Sequence, residues 1–331
     1  MHRPSVGRPV PSVLVSGPVS VPGRAHRVDI DGVRVHAVEW QPHTGATSGA
    51  RGGDRPDGRR ILLVHGLGAS TLSWVPVAQG LADQLGATVT ALDLAGHGRT
   101  RATTRPATIE SNRNLIVSFL EAHGPATVFG NSMGGVLGAG VTARRPDLVD
   151  ALVLVNPALQ WRGVKSRDWR RIGRFVPVMV PSFGHRVIAT RARALGPERL
   201  VDLSLAMSLH DPSRLDPTLR RRLVHLAAER FAYPEAPQAY ADAARTLLRE
   251  LNDGADTDLG VAARARPTLL LHGALDRLVA VDLARAAAER HEHLELRILD
   301  GIGHAPQLED PATFLEVTTA WLDRIPAPHP A

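Results

Sequence analysis

From residue 60 onward the chain alternates short, mostly apolar runs with longer stretches whose apolar positions recur every three or four residues. The apolar runs fall at 61–64, 87–92, 126–129, 151–155, 268–271 and 294–299 and are rich in Val, Leu and Ile. Apolar residues at successive rather than alternate positions suit strands buried on both faces of a parallel sheet. The periodic stretches predict helices over 73–85, 109–122, 133–145, 281–290 and 311–324. This alternation specifies an α/β fold, a mostly parallel central sheet with helices on both faces and right-handed crossovers. Residues 27–40 read differently: Val28, Ile30, Val33, Val35 and Ala37 alternate with polar positions around Asp31-Gly32, which predicts a β-hairpin.

One interval departs from the rhythm. Between the runs ending at 155 and starting at 268 lie more than 100 residues of helical character with no clear strand. A connection that long must carry structure of its own, and a helical cap inserted into the α/β core is the expectation. The expected division is a flexible leader at 1–24, a core at 25–157 and 263–325, and a cap at 158–262. Residues 42–59, rich in Gly, Thr, Asp and Arg, have little to pack and read as a flexible loop. Within the insertion, 175–183 is apolar and broken by Pro177 and Pro181, which suits a lid or wall over a site, or a buried connection between helices.

Composition narrows the function classes. At 331 residues, 44% of them hydrophobic, the chain can bury a sizeable core. No stretch approaches the ~20 apolar residues of a membrane span. The absence of cysteine excludes disulfides, thiol catalysis and Cys-ligated metals. The net charge is +6, and positions 158–262 hold 17 basic against 12 acidic residues, nearly all of the excess. With aromatics at 4% and no basic block interleaved with them, nucleic-acid binding is not expected. Arg162, Arg167, Arg170, Arg171 and Arg174 offer either a solvated helix face or partners for a substrate carboxylate. Arg3 and Arg8 precede an apolar stretch, but Pro9, Pro11 and Pro18 interrupt it. A disordered or strand-adding leader on a cytoplasmic protein is therefore expected, with export as the alternative.

The chemistry concentrates at strand ends. The run 126–129 leads directly into Gly130-Asn131-Ser132-Met133-Gly134-Gly135, a serine flanked by glycines two positions before and after, where a strand meets a helix. A nucleophile held on so sharp a turn needs small neighbours. A serine hydroxyl also needs a positioned base, usually a histidine oriented by a carboxylate. Asp276 follows the run 268–271, and His304 lies in the Gly-bounded loop after 294–299. All three fall at carboxyl ends of strands, where sites form in open α/β sheets.

On these residues the chain resembles the α/β-hydrolase superfamily over about residues 27–324. Four segments carry the resemblance: Val64-His65-Gly66-Leu67-Gly68, Asp93-Leu94-Ala95-Gly96-His97-Gly98, the Ser132 turn, and Gly303-His304. The resemblance implies Ser132 as nucleophile, His304 as general base and then acid, and Asp276 as the orienting carboxylate. It also implies an oxyanion hole from the backbone N–H groups of Leu67 and Met133. In some members the acid follows the preceding core strand; here that strand runs into Asn156-Pro157, which favours Asp276. Asp93 and Asp300 read as turn residues, and His65, His97 and His272 as structural. A serine at the turn sets the chain apart from relatives that use aspartate there, and no His-Gly-Gly-Gly oxyanion loop is present. No cofactor and no metal are implied. The expected function is hydrolysis of a carboxylic-ester-like small molecule through an acyl-enzyme. Two alternatives stay open, C–C bond hydrolysis of ring-cleavage diketo acids and a catalytically silent binding protein, as does a homodimer.

Overall fold

The computed structural model describes residues 23–43, 58–160 and 184–325. The expected leader up to residue 22, most of the 42–59 loop, the 175–183 segment and the arginines at 162–174 lie outside the described residues.

Strands β1 (Arg24–Ile30) and β2 (Val33–Trp40) form the hairpin foreseen from their alternation. Asp31 and Gly32 turn it with φ values of 50° and 75°, the positive values a tight two-residue hairpin demands. β2 pairs antiparallel with β4 (Ala87–Leu92), so the hairpin extends one edge of the sheet. The other strands, β3 (Arg59–Val64), β5 (Ala126–Asn131), β6 (Val149–Val155), β7 (Thr268–Gly273) and β8 (Leu294–Leu299), run parallel with β4. The order across the sheet is β1-β2-β4-β3-β5-β6-β7-β8. The runs of β4, β3, β5, β6 and β7 thus sit centrally and β8 forms the far edge, while β5 and β7 each run two residues past their runs, to Asn131 and Gly273, at the end of the sheet where the candidate site lies.

Successive residues along a strand face opposite sides, and each side has its own core. Ile61 and Leu63 pack with Val77 and Leu81 of α1 (Val75–Leu85) and with Phe314 and Trp321 of α10 (Pro311–Arg324). Leu62 and Val64 face the other way, against Leu115 and Ile116 of α2 (Ile109–His123) and Leu137 of α3 (Met133–Arg144). Each such side chain, fully buried, contributes about 1.5–3 kcal/mol. The sequence pattern starts the first helix at residue 73; the structure has a 3-10 turn over Thr71–Trp74 before α1. Pro76 explains the late start, since proline suits only the first turn of an α-helix. After β7 come α8 (Val281–Arg290) and, beyond β8, the one-turn α9 (Pro306–Glu309).

The described part of the long interval between β6 and β7 is helical: α4 (Gly184–Ser208), α5 (Pro217–Arg230), α6 (Ala236–Asp253) and α7 (Ala255–Ala265). α4 breaks at Gly196, whose φ of 72° is followed by Pro197. Val201, Leu205 and Leu209 meet Leu219 and Leu226 of α5 and rest on Leu72, Ala305 and Leu308 of the α/β unit. α7 sends Leu259, Ala262 and Ala263 into the same core as α3. Among the described residues no helix is long and apolar enough to cross a membrane.

Candidate active site

Ser132 sits between β5 and α3 with φ 54° and ψ −114°. A non-glycine residue in that region is strained and persists only where its surroundings over-determine it. Here they do. Its N–H donates to Val155 O at 3.0 Å, and its carbonyl accepts Gly135 N at 2.9 Å and Ala158 N at 3.2 Å. The flanking glycines are sterically required: a Cβ on Gly134 would lie 2.2 Å from Val64 O, and one on Gly130 2.3 Å from Gly134 O.

The loop after β3 comes close to this turn. A Cβ on Gly66 would lie 3.2 Å from the Cβ of Ser132. His65 fixes the loop, its Nδ1 donating to Gly66 O at 2.7 Å and its Nε2 accepting Leu94 N at 3.1 Å. Burial lowers the His65 pKa, which agrees with a neutral ring that donates and accepts. Asp93 holds the neighbouring turns, accepting Thr71 N at 2.7 Å and Arg99 N at 2.8 Å. Burial raises the pKa of Asp93, but its interactions with His36, His65 and Arg99 outweigh that and leave it lowered. Among the described residues neither the Leu67 nor the Met133 N–H has a hydrogen-bond partner.

Asp276 and His304 meet at the same edge. His304 Nδ1 donates to Asp276 Oδ2 at 2.7 Å, and both residues are buried. Asp276 Oδ2 also accepts Asn156 Nδ2 at 2.8 Å, while Oδ1 takes Leu278 N at 2.7 Å and Val279 N at 2.9 Å. Burial alone would raise its pKa, yet the His304 charge and hydrogen bond, His272 and the Val279 N–H hold it down at about 2. An ionised, four-fold hydrogen-bonded carboxylate fixes the imidazole with Nδ1 as donor, leaving Nε2 to accept a proton. Asn131 Nδ2 donates to His304 O at 3.2 Å, which joins the His304 loop to the residue preceding Ser132. The Ser132 hydroxyl makes no hydrogen bond among the described residues.

The structure thus gathers all five residues singled out in the sequence at the carboxyl edge of one sheet. Among the described residues no three His, Asp or Glu side chains converge as a metal site. A family model described as alpha/beta hydrolase fold matches residues 59–311. The chain belongs to the α/β hydrolase fold family. Lipase LipV of Mycobacterium tuberculosis is 30% identical over 234 residues, covering 67% of this chain and 82% of its own. A pimeloyl-[acyl-carrier protein] methyl ester esterase of Stenotrophomonas maltophilia is 30% identical over 255 residues, or 76% and 88% of the two chains. A bacterial membrane phospholipase A shares the fold at a TM-score of 0.68 and 24% identity, covering 92% of this chain and 86% of that one.

Within this α/β hydrolase, several site residues carry no motif. Asn156 follows β6 with φ 43°. It occupies the position of the alternative acid and hydrogen-bonds Asp276 instead; only its place after β6 hinted at it. Arg230 of α5 donates to Gly98 O and Gly96 O, both at 2.7 Å. One arginine among many gave no signal of that. The ring of Tyr240 lies against Gly68, where a Cβ would be 2.9 Å from Tyr240 Cε2. Burial raises the Tyr240 pKa, and its hydroxyl has no partner among the described residues.

Proposed function

We propose that this chain is a serine ester hydrolase with Ser132 as nucleophile, His304 as proton carrier and Asp276 as the carboxylate that orients it. The observation that carries this reading is the 2.7 Å bond from His304 Nδ1 to the ionised Asp276, at the sheet edge that also bears the strained Ser132. In the first half-reaction the Ser132 oxygen bonds to the ester carbonyl carbon while its proton passes to His304 Nε2. The carbonyl oxygen becomes an oxyanion, and the unpartnered N–H groups of Leu67 and Met133 are its donors. Such a donor is worth about 2.7–4 kcal/mol in the transition state. Collapse expels the alkoxide, which takes the proton from His304 and leaves an acyl-enzyme. Water, deprotonated by His304, then releases the acid and restores Ser132.

The lipase and the methyl ester esterase among the relatives support an ester as substrate. The helices α4 and α5 belong to the inserted cap, read from the sequence as 158–262, that selects it. Turnover of short-chain aryl esters by the purified protein and by Ser132→Ala tests the assignment. The expected loss of kcat is at least about a thousandfold; an alanine variant as fast as the parent overturns it. A diketo acid assayed alongside reports on C–C cleavage.

A further inference from the structure

Glu309 is 2% exposed and forms no ion pair among the described residues. A buried carboxylate without a cation is costly unless hydrogen bonds replace its hydration. Glu309 obtains them from three backbone N–H groups. Oε2 accepts Gly303 N at 2.8 Å and His210 N at 3.1 Å, and Oε1 accepts Asp211 N at 2.7 Å. Gly303 immediately precedes His304, whereas His210 and Asp211 follow α4 in the inserted helices. The two segments also touch directly: His304 N donates to Ser208 O at 2.6 Å. A Cβ on Gly303 would lie 2.6 Å from His210 N, so only glycine permits the approach.

We propose that Glu309 is a positioning residue for the reaction, a latch whose two oxygens fasten the end of α4 to the His304 loop and so set where the imidazole stands. The proposal rests on His304 being the proton carrier. Asp276 fixes the rotation of the ring through Nδ1, but the height of the ring above the sheet depends on its backbone. That backbone is held by Asn131 Nδ2 at His304 O, by Ser208 O at His304 N, and by Glu309 at Gly303 N. Two of these three holds join the loop to the inserted helices. Those helices therefore help to arm the base as well as shape the substrate cavity, and a shift of the α4 end carries His304 with it.

The charge-free isostere is a sharp test, because a glutamine offers one carbonyl oxygen where the site needs two. Whichever way its amide turns, an NH2 group faces a backbone N–H. Glu309→Gln is expected to lower kcat on a short aryl ester about 10- to 100-fold, the cost of a misplaced catalytic group, with KM within twofold. Glu309→Asp, which keeps both oxygens on a shorter arm, should recover part of that loss and guards against a glutamine variant that does not fold. A folded Glu309→Gln with parental kcat, a loss confined to KM, or no recovery of kcat in Glu309→Asp overturns the latch. The ring-proton NMR signals of His304, compared between parent and variant, separate this from the hydrolase reading. If the parent cleaves no ester, the latch still predicts that those signals move in Glu309→Gln, and unmoved signals overturn it.

Discussion

Asp276 uses both carboxylate oxygens on four donors, and its neighbour Asn156 supplies one of them. Asp276→Asn keeps the shape but leaves one acceptor oxygen for four donors, so an NH2 group faces part of the site and the His304 tautomer is no longer fixed. Its kcat should therefore fall about 10⁴-fold, read by steady-state kinetics. Asn156 has two duties, a donor bond to Asp276 and a backbone at φ 43°. Asn156→Ala and Asn156→Gly both lose the bond, but only alanine is strained at positive φ. Their kcat values should therefore drop together, while the alanine variant is less stable by about 1 kcal/mol, measured by chemical denaturation. Equal stability of the two would contradict the strain. Asp276 and His304 were legible in the sequence because each follows an apolar strand in a short loop. Asn156 was legible only as an absent acid, since its contact with Asp276 spans 120 residues.

At the scale of elements, the turn at Ser132 depends on glycine packing that differs sharply from one position to the next. A Cβ on Gly134 meets the backbone oxygen of Val64, while one on Gly138 meets the movable Cδ1 of Leu152 at 3.0 Å. Gly134→Ala should cost about 3 kcal/mol or more. Gly138→Ala, in a helix interior that favours alanine, should stay within about 1 kcal/mol of the parent. Urea unfolding of the pair checks this, and similar midpoints would contradict the steric reading. The strands β4 and β8 matched their expected spans end to end, β4 bounded by Gly86 and Asp93 and β8 by His293 and Asp300. The start of α1 did not, since a 3-10 turn leaves the apolar spacing almost unchanged. α9 was missed because one helical turn is too short to show a period.

Across the whole molecule, two cores on either side of the sheet support a site whose outer wall is tied down by polar contacts. Arg230 holds the Gly96–Gly98 turn, Arg99 pairs with Glu229, Arg101 with Glu235, and buried Arg113 of α2 with Glu250 of α6. The positive excess of the insertion was visible in the sequence, but which arginines turn inward was not, because that depends on how the helices dock. Titration adds a global prediction. Burial lowers the pKa of His65 and His272 and brings His97 down to about 3. Each takes up a proton near pH 6.5 when unfolded, so the unfolded state binds more protons and stability falls as pH drops below that value. The loss approaches 1.4 kcal/mol per pH unit for each such histidine. The depressed Asp276 adds a second loss as pH falls from about 4 toward 2. Thermal melts between pH 8 and 4 should show Tm declining from about pH 6.5 downward; a flat profile would contradict neutral burial of these rings.

The most direct test of the catalytic assignment is stoichiometric labelling with a fluorophosphonate, followed by peptide mass mapping. A nucleophile activated by His304 should take one equivalent on Ser132, lose ester hydrolysis in proportion, and leave Ser132→Ala unlabelled. Full labelling at another residue, or undiminished hydrolysis once Ser132 is modified, would contradict the assignment.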